Sequence, residues 1–173
     1  MDAADLHQHA RTLMTQAAGL PASAAEILLR RALSASYYAV FHALTSAGAR
    51  IAAPGDDVPR SQVARAFNHD AMRKVCDACV RSPSKPFPVS MARLNLTAPD
   101  QHLIQVADAF GHLQDARYAA DYDLSSVINL ADVARLLAAA DLALGGFQAI
   151  QSDPDTQTFL TALLLSDRWT RRG

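Results

Sequence analysis

Apolar residues recur along this chain at three- and four-residue spacings, and the β-branched alternation of a strand is nearly absent. The pattern predicts an all-α protein, an antiparallel up-and-down bundle of five to six helices. Six segments carry it. The first covers about Ala3–Ala18 and stops at Gly19-Leu20-Pro21. The second runs from Ala22 to about Ile51, and the third from near Pro59 to about Val80. Arg81–Leu96, which holds a Pro/Ser-rich stretch, reads as a loop. Thr97 is placed as the cap of a fourth helix that holds Pro99 in its first turn and reaches about Asp121. Asn129 with Asp132 opens a fifth, ending near Gln151, in which Gly145-Gly146 would allow a kink or the close approach of another backbone. Asp153-Pro154 opens a last helix to about Arg168.

The second helix carries two surfaces. Leu33, Tyr37, Val40, Phe41 and Leu44 form an apolar face. Arg31, Ala35, Tyr38 and His42 follow one another at i, i+4, i+7 and i+11, which puts a cation, a phenol and an imidazole in one line. Such a line holds an anion, or ties the helix to its neighbours as a buried polar network. Arg30 falls one residue off this line and reads as solvent-facing. In the third segment Arg65, His69 and Arg73 form an i, i+4 row, suited to a phosphate or to a solvated face with local pairs. Arg117 and Asp121 are also i, i+4, with the cation N-terminal, the weaker order for a local pair. Asp121 therefore calls for a partner on another helix, with Arg31, Arg65 and His69 as candidates.

Composition narrows the picture. The chain has 173 residues, half of them hydrophobic, enough for one core, so residues 1–173 read as a single domain. A net charge of −1 supplies no global basic field, so any nucleic-acid contact must be local. Cys76 and Cys79, one helical turn apart, are half of a zinc motif and read as packing residues; no metal or other cofactor is implied. His7 and His9 point to different faces and read as exposed. The N-terminus lacks a secretory pattern, and charges interrupt every long apolar run, so a cytoplasmic protein without a membrane span is expected.

Residues 30–44, RRALSASYYAVFHAL, resemble the first core helix of HEPN domains, the "higher eukaryotes and prokaryotes nucleotide-binding" helical family. The segment RYAADYD at 117–123 is similar to a later signature of bacterial members, and FNHDAM at 67–72 stands where such proteins often carry a His at the next helix. The resemblance covers about residues 22–150, with 153–168 as a C-terminal extension. It implies a bundle that is commonly a homodimer, contact with nucleotide or RNA, and a partner nucleotidyltransferase or antitoxin of toxin–antitoxin systems. Many members are metal-independent ribonucleases that carry Arg, four to six residues, then His. Here Arg65 to His69 leaves three residues, Arg60 to His69 and Arg93 to His102 leave eight, and no His follows Arg117. The nuclease spacing is absent. The resemblance thus implies a non-catalytic module binding nucleotide, RNA or a partner through Arg31, Tyr38, His42, His69, Arg117 and Asp121. Its alternatives are a divergent ribonuclease using His69, Arg65 or His42, and a protein–protein module whose polar residues are purely structural.

Overall fold

The computed structural model describes residues 2–81 and 99–170, with side chains described as far as Ser166. Every regular element among them is helical: α1 (Ala3–Ala17), α2 (Ala22–Ala52), α3 (Asp57–Ala64), α4 (His69–Arg81), α5 (Gln101–Tyr122), α6 (Leu130–Ile150) and α7 (Pro154–Thr170). The seven helices exceed the expected five to six because the third predicted segment is two helices. Asn68 divides it. Its Oδ1 accepts from the backbone N–H of Asp70 and of Ala71, each at 3.0 Å, so the amide caps a new helix instead of continuing the old one. The row of Arg65 and His69 is therefore broken: Arg65 ends α3, and His69 is the first residue of α4.

Other boundaries follow their local chemistry. Asp2 caps α1 through the N–H of Ala4 at 3.3 Å. Asn129 caps α6, its Oδ1 accepting from the N–H of Asp132 at 2.9 Å, and its Nδ2 donates to Asp132 Oδ2 at 2.6 Å. Asp100, whose Oδ1 accepts from the N–H of His102 at 2.7 Å, opens α5. Pro99 thus precedes the helix instead of sitting in its first turn, and both Thr97 as its cap and the loop over 82–96 lie outside the described residues. Neither Gly145 nor Gly146 breaks α6. Gly146 does meet a close neighbour, but a side chain and not a backbone: a Cβ there would fall 2.7 Å from His102 Nδ1.

The chain divides into two compact units, Met1–His42 with Ala109–Leu144, and Ala43–Asp108 with Gly145–Gly173. In the first, Ala10, Leu13, Leu29, Ala32, Leu33, Val133 and Leu137 form a sealed core. Tyr37 is fully buried beside Phe110, ring centroids 5.6 Å apart. The second unit buries Phe67, Met72, Val75, Phe147, Phe159, Leu160 and Leu163, and α4 packs on α7. Gly48 there gives room to the Phe67 ring, whose Cζ would lie 2.6 Å from an added Cβ. Among the described residues one helix, Leu130–Ile150, is long and apolar enough to cross a membrane. Its Val133 and Leu137 belong to the core of the first unit.

Candidate polar cleft

Arg30, not Arg31, is the guanidinium built into the fold. Its side chain is 15 % exposed and pairs with Glu26, one turn back, at 2.7 Å. The same group donates to the carbonyls of Ala119, Ala120, Asp123 and Ser126, at 3.2, 2.9, 3.1 and 2.6 Å. A cation there bonds carbonyls of the last turn of α5 and of the segment that follows it, and it meets the negative end of the helix dipole. The solvent-facing reading of Arg30 is thus wrong. The Glu26–Arg30 spacing, with the acid N-terminal, was the available signal.

Arg31 is exposed. It lines an open cleft of about 650 Å³ with His9, Leu13, Ile27, Arg30, Ser34, Asp121 and Tyr122. Among the described residues neither Arg31 nor His9 has a hydrogen-bond or ion-pair partner. Asp121 does have partners, but not the proposed ones. Its Oδ1 accepts from Ser34 Oγ at 2.6 Å, and its Oδ2 lies 2.7 Å from Arg117 Nε. The Arg117–Asp121 pair is therefore local after all, with Ser34 joining it from α2. The Nε–H is not aimed along that contact, so the contact is an ion pair without a hydrogen bond.

Arg117 connects the rest of the predicted cluster. It donates to Tyr38 Oη at 3.2 Å and to Tyr122 Oη at 3.4 Å. Its guanidinium carbon stands 5.9, 5.6 and 5.3 Å from the ring centroids of Tyr37, Tyr38 and Tyr122. Burial works against the charge on Arg117, but Tyr38, Asp121, Tyr122 and Tyr37 outweigh it and hold the proton more firmly. His42 stacks on Tyr38 with centroids 6.2 Å apart, and partial burial lowers its pKa below the ordinary 6.5. The line Arg31–Tyr38–His42 thus exists, but its members differ: Arg31 faces solvent, while Tyr38 and His42 are half-buried. Tyr118 and Tyr122, 65 % and 63 % exposed, pair their rings at 5.2 Å.

His69 and Arg65 belong to the second unit, where Arg65 is exposed and His69 half-buried. His7 is buried, against the expectation of exposure. Its Nε2 meets Asp141 Oδ1 at 2.9 Å and its Nδ1 faces Ser36 Oγ at 3.4 Å, with Arg11 on the same carboxylate at 3.1 Å. Ser36, His7 and Asp141 have the connectivity of a hydrolase triad. Ser36 is sealed from solvent, so the set pins α1 to α2 and α6 and meets no substrate. Cys76 and Cys79 are buried free thiols; burial pushes Cys79 up to about 12 and Cys76 well above its ordinary range, which leaves both inert. No three His, Cys, Asp or Glu side chains among the described residues are grouped to hold a metal. Compared with protein families, with curated proteins and with solved structures, the chain matches none.

Proposed function

We propose that the protein is a HEPN-like helical module that binds a nucleotide or RNA without cleaving it. The observation that carries this is the cleft of the first unit, which is lined by the unpartnered Arg31 guanidinium and by Tyr122, 63 % exposed. A guanidinium takes phosphate oxygens in fork geometry, and an exposed phenol ring stacks on any base. Asp121 lines the cleft, whereas Tyr38 and Arg117 do not; Arg117 donates to the Tyr122 hydroxyl at 3.4 Å. His42 and His69 are not among the cleft-lining residues. A homodimer and a partner nucleotidyltransferase or antitoxin belong to the same reading, tested by sedimentation and co-purification.

Labelled single-stranded RNA, titrated in the presence of chelator and competed with mononucleotides, tests the proposal. Saturable binding that Arg31→Ala removes, with the RNA intact after incubation, is the expected result. Metal-independent degradation abolished by His42→Ala or His69→Ala in a folded protein would replace it with a ribonuclease.

A further inference from the structure

We infer that the cleft takes one ribonucleoside 5′-monophosphate unit with a free 2′,3′-diol, either as a free nucleotide or as the 3′-terminal nucleotide of an RNA. The inference rests on the nucleotide-binding reading above and narrows it by counting charges and lone pairs.

Of the guanidinium groups at the cleft, only Arg31 is uncommitted. Arg30 lines it too, but Nε and both terminal nitrogens already serve Glu26 and four carbonyls, which occupies all five N–H donors of a guanidinium. Arg117 is engaged by Asp121 and the tyrosine hydroxyls. One guanidinium matches two oxygens of one phosphate. His9 adds a further hydrogen-bonding group, but the second and third phosphates of a triphosphate would find no other free guanidinium or ammonium among the lining residues, and would face the Asp121 carboxylate.

That carboxylate supplies the second half of the recognition. An ionised carboxylate offers about four acceptor positions. Ser34 donates to Oδ1 and the Arg117 ion pair lies against Oδ2, which leaves an open acceptor position on each oxygen of an exposed side chain. Two acceptors side by side fit two donors side by side, and the vicinal hydroxyls of ribose are such a pair. A 2′-deoxynucleotide lacks one donor. An internal RNA nucleotide has lost its 3′-hydroxyl to the next phosphate. Tyr122 stacks on the base without reading it, and Leu13 and Ile27 give the sugar an apolar wall. The volume of about 650 Å³ lies within the usual range of small-ligand sites.

Calorimetric titration of the full chain tests this with adenosine 5′-monophosphate, its 2′-deoxy and 2′,3′-dideoxy forms, and the triphosphate. Two short RNAs, one ending in a 3′-hydroxyl and one in a 3′-phosphate, complete the set. The ribonucleotide should bind about tenfold more tightly than the deoxy form, the expected size of a lost hydrogen bond to a charged group, and the triphosphate no more tightly than the monophosphate. Arg31→Ala should abolish binding, and Asp121→Asn should erase the difference between ribose and deoxyribose. Preference for the 3′-hydroxyl RNA over the 3′-phosphate RNA supports the inference with an RNA end as the source; binding of the mononucleotide alone supports it with a free nucleotide. Equal affinity for ribo and dideoxy forms, or tighter binding of the triphosphate, overturns it while Arg31-dependent binding keeps the broader reading alive. No binding of any nucleotide or RNA overturns both.

Discussion

In the first unit, Arg30 and Arg117 reach across helices; in the second, Arg60 and Arg73 make pairs within their own segment. Arg30 bonds residues 89 to 96 positions away, and Arg117 meets a phenol 79 positions away. Arg60 instead holds Asp57 and the carbonyls of Ala53, Pro54 and Gly55, and Arg73 pairs with Asp77 one turn on. The contrast separates two uses of a guanidinium. A local pair trims a helix end that other forces have already placed. A long-range clamp decides where a helix end goes, and removing it strands partly buried carbonyls.

Substitution at Arg30 is the hardest blow to that contrast. Arg30→Met should cost about 3 kcal/mol, because carbonyls desolvated around one guanidinium lose their donor. Arg60→Met, at a partly exposed pair, should cost no more than about 1 kcal/mol. Urea unfolding of the two variants checks this, and equal losses would erase the difference between clamp and trim. Within the second unit, packing sets the next largest effect. Gly48→Ala gains helix propensity but drives a Cβ into Phe67, and the clash should win by about 1–3 kcal/mol. Gly145→Ala, with open space around its Cβ, should instead gain about 0.5–1 kcal/mol. Melting temperatures moving in the same direction would contradict these contacts.

Acid sharpens the comparison more gently. The His42 pKa is lowered by burial in the fold, so the unfolded chain takes up the proton first. Stability should therefore fall as pH drops below about 6.5 and be complete above it. Melting at pH 7.5 and 5.5 should show a smaller loss in His42→Gln than in the unaltered chain. The smallest effect belongs to Arg31→Ala, which should change stability by less than about 0.5 kcal/mol. A large loss there would mean that Arg31 is structural and that the cleft is not a site.

Helix class and several boundaries were legible because their causes are local. The Asn129–Asp132 cap and the stop at Gly19-Leu20-Pro21 need only their own neighbours. Asn68 was equally local and equally visible, but an unbroken apolar pattern on both sides concealed its capping role. The polar cluster was legible only in part. Arg30 and Arg31 differ by about 100° around one helix, and which of those directions meets α5 is a tertiary fact. A sequence line of Arg31, Tyr38 and His42 therefore named one residue of the cleft, Arg31, and passed over the clamp beside it. Ser34 was missed for the same reason: a hydroxyl on a helix carries no mark of the carboxylate it will meet 87 residues later.

The Arg30 clamp also bears on the order in which the chain assembles. Closing a loop of 89 to 96 residues is entropically demanding, and several carbonyls must arrive together before the guanidinium gains anything. Such a contact should form late, after the apolar faces have met. Its loss should then speed unfolding and leave the folding rate nearly unchanged, which stopped-flow kinetics of Arg30→Met checks. Native-state hydrogen exchange should find the end of α5 and the turn to Asn129 among the first segments to open in that variant.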